Sequence, residues 1–232
     1  LLGNRAIIQT LLQEHNIKLP GVKIIDPKRC EDEYEKNRIR DYAAIYYDKQ
    51  KRKGINLDEA YKAIRSRAYY GAMMVETGDA DAMIGGLSRG FPETIKPALK
   101  IVGARPGVNK VAGMHIVMTK SGPLFLSDTT INHELNAEDI ADIAELTHDA
   151  SRSRESEPKM ALVTYSNFGT AREGAAAKLM AKATAILHER HPDWILDGEM
   201  QAHMALEPET LKKFYPFSKL NGHKANTLIF PN

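Results

Sequence analysis

Cysteine, net charge and long apolar runs are all scarce in this chain, and each scarcity excludes something. Cys30 is the one cysteine in 232 residues, so no internal disulfide can form. That fits a reducing, cytoplasmic setting. Lys and Arg number 32 against 30 Asp and Glu, which removes the general electrostatic reason to expect nucleic acid or an anionic membrane as a partner. No apolar stretch approaches the roughly 20 residues that span a bilayer. No basic start followed by an apolar run marks a secretory signal. The G-x-G-x-x-G dinucleotide fingerprint and the P-loop are missing too.

Metal and nucleophile signatures are also thin. His188 and His191 are three apart, but no carboxylate stands at metal-ligand spacing beside them. Ser166 has no local histidine partner of the kind a serine nucleophile needs. The expectation is no metal site and no catalytic residue within this stretch.

What is present is an ordinary core-forming composition with 43% hydrophobic residues and an alternation of strand-like and helix-like segments. Residues 6–14 space Ile7, Ile8, Leu11 and Leu12 like a helix face. Val22-Lys23-Ile24-Ile25-Asp26 reads as a short strand. Residues 32–53 predict a long charged helix broken at Gly54. Asn56 or Asp58 caps a further helix to about Glu76, closed by Gly78. Asp81-Ala82-Met83-Ile84 reads as a strand, and residues 91–102 as a helix with Pro97 awkward inside it. Arg105-Pro106-Gly107 is the candidate junction. Beyond it come a hairpin over 111–126, a helix over 137–150 capped by Asn136, and a strand over 160–165. A helix beginning near Ala171 follows, with Leu179, Ala183, Ile186 and Leu187 on its apolar face. Strands over 194–197 and 227–230 complete the pattern. Such alternation predicts an α/β fold with mostly parallel strands.

Ligands of such sheets bind beyond the carboxyl ends of the strands. Three exits carry suitable residues. Ile84-Gly85-Gly86-Leu87-Ser88-Arg89-Gly90 offers close backbone approach with Ser88 and Arg89 as donors; a plain glycine turn explains it equally well. Tyr165-Ser166-Asn167-Phe168-Gly169-Thr170 leads from a buried strand into a helix, where free N–H groups and two hydroxyls suit phosphate. Asp197-Gly198-Glu199-Met200-Gln201 places two carboxylates and an amide on one turn, for acid–base work, substrate orientation or helix capping. A basic cluster, Lys49, Lys51, Arg52 and Lys53, suits either a polyphosphate or a helix end.

These exits, in this order, resemble the phosphate acetyl/butyryltransferase family. Gly78-Asp79-Ala80-Asp81-Ala82-Met83, Thr94-Ile95-Lys96-Pro97-Ala98-Leu99 and Phe125-Leu126-Ser127-Asp128 extend the likeness over nearly the whole chain. The 166–169 and 197–201 segments, with Ala225-Asn226-Thr227-Leu228-Ile229-Phe230-Pro231-Asn232, are most similar to the phosphotransacetylase-like C-terminal domain of large NADP-dependent malic enzymes.

The resemblance implies two three-layer α/β subdomains with mostly parallel sheets, an isocitrate/isopropylmalate dehydrogenase-like architecture. The first covers residues 1–103 and lacks its opening strand and C-terminal return; the second covers 104–232. An acyl-CoA cleft is expected between them. Acetyl-CoA or coenzyme A is the implied ligand, with Ser88, Arg89, Lys96, Ser166, Asn167, Gly169, Thr170 and Glu199 as the implied acyl-CoA and phosphate contacts. An upstream malic-enzyme domain, carrying NADP and a divalent metal, and a homodimer or higher homo-oligomer are the implied partners. Some positions depart from the family. The lysine that transferases carry in the 166–170 loop is Phe168 here, an arginine position before Gly54 holds Gln50, and Lys96 replaces an arginine, keeping charge but losing the bidentate fork. The family's Ser-Arg-Gly segment and following aspartate fall after Asn232. The expectation is therefore an acetyl-CoA-responsive regulatory domain; the alternative is an active phosphate acetyltransferase.

Overall fold

Caps and glycines set the helix limits in the amino-terminal half. The computed structural model describes residues 1–87, 89–108, 110–128, 131–132, 134–152, 157–171 and 173–231, which divide into two units, Leu1–Pro106 and Gly107–Asn232. In the first unit Asn4 accepts the Ile7 N–H and starts α1 (Arg5–Glu14). Asp32 caps α2 (Glu33–Gln50), and a short 3-10 turn ends at Gly54, whose φ of +87° suits glycine. Asn56 and Glu59 form a reciprocal capping box at the start of α3 (Leu57–Ile64). A break at Arg65 and Ser66 separates α3 from α4 (Arg67–Glu76), where the spacing predicts one helix. The last helix here, α5 (Phe91–Ile101), runs through Pro97, which is buried.

The core of this unit is the packing of Ile39, Tyr42 and Tyr46 from α2 on Ile64, Tyr70, Met73 and Ile101. The apolar spacing of α1 does not mark a core face: none of its residues is buried, and Ile7 and Leu11 are 59% and 47% exposed. Two expected strands are also corrected. Residues 22–26 contribute one parallel bridge, Leu2 to Ile25, and no strand. Residues 81–84 form no strand, and Ile84 is fully exposed. A short apolar run becomes a strand only when a neighbour pairs along it; at 22–26 the pairing stops at the single bridge to Leu2, and among the described residues nothing pairs with 81–84.

The second unit holds a five-stranded sheet in the order β1-β2-β5-β3-β4. The strands are β1 (Met114–Thr119), β2 (Gly122–Ser127), β3 (Met160–Val163), β4 (Leu196–Met200) and β5 (Thr227–Ile229). The hairpin β1–β2 is antiparallel, and the other pairings are parallel. The helices are α6 (Ala137–Arg152), α7 (Ala175–Arg190), α8 (Ala202–Leu206) and α9 (Pro208–Phe214). The α/β class and the mostly parallel sheet are as the sequence predicts, with the sheet in this unit.

Alternation along the strands builds three layers. Met160 and Leu162 of β3 and Ile229 of β5 face Ile140, Ala144, Met180, Ala183 and Leu187 of α6 and α7. Ala161, Val163 and Leu228 face Ala205 of α8 and Leu211 of α9. The alternation breaks once. Leu196 joins the α6–α7 core but Met200, four residues on, joins the other, and the β3–β4 register shifts between Leu162 and Val163. A bulge of this kind re-aims side chains next to a strand end. No helix among the described residues is long and apolar enough to cross a membrane.

Candidate functional site

β3 and β4 run parallel as neighbours, so the segments leaving their carboxyl ends meet. Glu199 is 2% exposed and Ser166 1%. Oε1 of Glu199 accepts the Ser166 hydroxyl at 2.9 Å and the Gly169 N–H at 2.7 Å, while its carbonyl accepts the Phe168 N–H at 2.8 Å. The Asn167 amide donates to Oε1 of Gln201 at 3.0 Å and accepts the Gln201 N–H at 2.7 Å. Gln201 donates in turn to the Tyr165 carbonyl at 2.8 Å. Thr170 Oγ1 accepts the Asn167 N–H, and Ser166 Oγ accepts the Ala171 N–H, both at 3.0 Å. Phe168 and Gly169 take φ of +45° and +84°, which turns successive N–H groups inward as a nest.

The structure therefore brings Ser166, Asn167, Gly169, Thr170 and Glu199 into one cluster, with a correction to its expected chemistry. Every N–H from Asn167 to Ala171 is spent on the protein itself; that of Thr170 reaches the Asn167 carbonyl. Helix α7 starts at Ala175, four residues later than predicted, with Gly174 at its cap position. A Cβ on Gly174 would overlap the Tyr165 hydroxyl, so the glycine lets that ring lie across the helix start.

Asp197 has a structural part. It accepts from the Ser218 hydroxyl at 2.7 Å and the Lys219 N–H at 2.8 Å, which pins the 218–219 segment to β4. Neither Asp197 nor Glu199 caps a helix; both lie inside β4. Phe168 packs with Tyr215 and Phe217, ring centroids 4.9 and 5.0 Å away, so an aromatic wall stands where the resembling transferases carry a cation.

Arg89 and Lys96 belong to the first unit, where both are exposed, Lys96 on α5. Ser88 lies outside the described residues. Gln50 is buried and donates to the Lys100 carbonyl at 2.7 Å. In the basic cluster Lys49 pairs with Glu76 and Lys51 with Asp48, the arrangement of a neutralised helix end. Burial pushes the Cys30 thiol above its ordinary range, which disfavours a reactive thiolate. His188 meets the Leu196 carbonyl at 3.0 Å and His191 meets Glu145 at 2.9 Å.

Gln201 and Thr164 are the residues of this cluster that reasoning from sequence underrated. Gln201 was readable as part of the strand exit, but not as the partner of Asn167. Thr164 Oγ1 is buried without a hydrogen-bond partner, and no local motif announces that.

The family model described as Phosphate acetyl/butaryl transferase matches residues 1–232. The chain is 35% identical over 234 residues to a phosphate acetyltransferase of Synechocystis sp., an alignment covering all of this chain and 32% of that protein. It is 33% identical over 233 residues to an NADP-dependent malic enzyme of Salmonella typhimurium, covering all of this chain and 30% of that one. The EutD phosphotransacetylase from Staphylococcus aureus superposes with a TM-score of 0.79 at 26% identity, covering all of this chain and 68% of that structure. The chain spans about a third of the length of the two curated relatives.

Proposed function

Because the chain belongs to the Phosphate acetyl/butaryl transferase family, we propose that this phosphotransacetylase-like domain binds acetyl-CoA and regulates the oxidative decarboxylation of malate. That chemistry is carried out elsewhere in a longer polypeptide. The proposed parent is an NADP-dependent malic enzyme, cytoplasmic and homo-oligomeric, whose upstream domain holds NADP and a divalent metal. Arg89 and Lys96 are the proposed cationic contacts for acyl-CoA, and Ser166, Asn167, Gly169, Thr170 and Glu199, already hydrogen-bonded within the protein, are proposed to line the acyl-CoA site without supplying free donors to it.

One observation carries the regulatory reading over the catalytic one. The Glu199 carboxylate already takes the two donors, Ser166 hydroxyl and Gly169 N–H, that would hold an acyl phosphate oxygen. Phe168 adds no positive charge beside them. Moving acetyl to phosphate requires donors aimed at the charge that develops on transfer, and here those donors face a resident anion. The second reading, an active phosphate acetyltransferase, is favoured by the 35% identity to a relative of that name.

Two measurements on the full-length protein separate the readings. The regulatory reading expects malate oxidation to respond to acetyl-CoA, and no acetyl phosphate from acetyl-CoA and phosphate in a coupled assay. Turnover near an ordinary enzyme rate, about 10 per second, would establish the second reading. A Lys96→Ala protein should keep malate oxidation and lose most of the response, because allostery couples two sites. Weaker acetyl-CoA binding by about 1–3 kcal/mol is the scale of one charged hydrogen bond.

A further inference from the structure

Phe217 is 68% exposed, yet the backbone beneath it is fixed. The Ser218 hydroxyl and the Lys219 N–H both donate to Asp197 of β4, at 2.7 and 2.8 Å. The Ser218 N–H donates to the Tyr215 carbonyl and the Asn221 side-chain amide to the Pro216 carbonyl, both at 3.0 Å. Pro216 locks its own φ. The turn therefore presents a large apolar ring to solvent from a rigid base. Other exposed rings are already engaged. Lys23 sits 5.6 Å over the Tyr34 ring and Lys213 5.4 Å over that of Phe214, and Tyr165 lies across Gly174. Among the described residues no cation and no parallel ring covers Phe217. Its two ring neighbours, Phe168 at 5.0 Å and Tyr215 at 6.0 Å, are inclined to it by 73° and 82°.

Backbone strain is concentrated at the same place. Phe168 takes φ of +45°, where a bulky side chain is an outlier that persists only if its surroundings hold it. Here its N–H donates to the Glu199 carbonyl at 2.8 Å, and its ring packs on both Tyr215 and Phe217. The strained residue thus braces the exposed one, beside the carboxyl ends of β3 and β4, where ligands of such sheets bind. We propose that Phe217, braced by Phe168 and Tyr215, is the stacking platform for a flat heteroaromatic base, the adenine of acyl-CoA. The inference rests on the acyl-CoA reading and assigns the nucleotide end of that ligand. An acetyl group is one methyl on a carbonyl and leaves a ring of this size unused. Adenine is the aromatic part of the same ligand, and a base stacks on a phenyl face whatever its hydrogen-bonding edge. The pantetheine arm separates base from thioester, so the platform serves the ligand outside the loop whose donors Glu199 already holds.

Calorimetry on the full-length protein tests it with acetyl-CoA and with adenosine 3′,5′-bisphosphate, which carries the base and ribose phosphates and no pantetheine arm. The bisphosphate should compete with acetyl-CoA. Phe217→Ala should weaken both ligands by about tenfold, the scale of one lost base–aromatic stack. Phe217→Trp keeps a flat face and should bind both at least as tightly as the parent. Circular dichroism checks that the variants fold, and Phe217→Leu, apolar without a stacking face, replaces the alanine variant if that one does not. Unchanged affinity in the alanine variant, a tryptophan variant as weak as it, a loss confined to acetyl-CoA, or a bisphosphate that does not compete would each overturn the platform and leave the acyl-CoA reading standing. No binding of acetyl-CoA to the parent would overturn both.

Discussion

Glu199 Oε1 accepts the Ser166 hydroxyl at 2.9 Å, joining positions 33 residues apart, and both side chains are buried. The same oxygen holds Gly169, so one carboxylate ties two points of the loop to β4 beside the Asn167–Gln201 pair. Glu199→Ala strands the Gly169 N–H and leaves the Ser166 hydroxyl to Thr170 Oγ1, 3.2 Å away. The expected cost is about 1–3 kcal/mol, from the desolvation of the unpaired N–H. Glu199→Gln keeps a carbonyl acceptor and should cost less than half as much. Urea denaturation of the two variants checks the order; equal midpoints would show that the loop closes by other means.

Two glycines near this loop should respond differently to alanine. A Cβ on Gly198 would sit 2.7 Å from both the Leu162 Cβ and the Leu162 carbonyl oxygen, on the neighbouring strand. Backbone cannot step aside cheaply, so Gly198→Ala should destabilise by about 1–3 kcal/mol. On Gly174 the clash is with the end of the exposed Tyr165 side chain, which can swing away. Gly174→Ala should leave the thermal midpoint nearly unchanged and shift the Tyr165 ring signals in an NMR spectrum.

Leu187 is fully buried between α7 and the sheet. Leu187→Ala should cost about 2–5 kcal/mol, transfer plus cavity. An unchanged denaturation midpoint would place this face outside the cooperative core.

Acid should loosen the first unit before it loosens the second. The Arg38 guanidinium, with Tyr42 and Thr77, holds the Asp79 carboxyl well below the usual carboxylate range. For Glu35, burial pushes the carboxyl up, but hydrogen bonds from Lys23 and Tyr70 outweigh it and leave it below its ordinary value. A carboxyl with a depressed folded-state pKa stabilises fully above its unfolded value, about 4, and loses that contribution as pH falls toward the folded value. Stability measured from about pH 5 down to pH 2 should therefore drop less steeply in Asp79→Asn than in the parent. Identical slopes would show that the exposed side of Asp79 screens the pair.

Local chemistry made much of this legible. Asn56, Asn136 and Gly54 announce helix limits that the structure keeps, with Glu59 and Asp139 completing the two caps. The periodicity of Leu179, Ala183, Ile186 and Leu187 identified a packed face because the sheet lies against it. The failures share a cause. Residues 22–26 and 81–84 look like strands, but strand pairing needs distant partners that no window of sequence displays. The site divides in the same way. The segments at 166–170 and 197–201 stood out as strand exits; that the second would fill the first's donors depends on β3 and β4 lying side by side.

The register shift opposite Leu162 and Val163 makes β4 two half-strands of opposite phase. Ahead of Gly198, Leu196 belongs to the α6–α7 layer; after it, Met200 belongs to the α8–α9 layer. The ordinary rule that positions two apart share a face therefore fails across this glycine. Over evolutionary time the two halves are free to drift separately, each answering to its own layer, while an insertion or deletion between them would move Glu199 away from Ser166 in a single step.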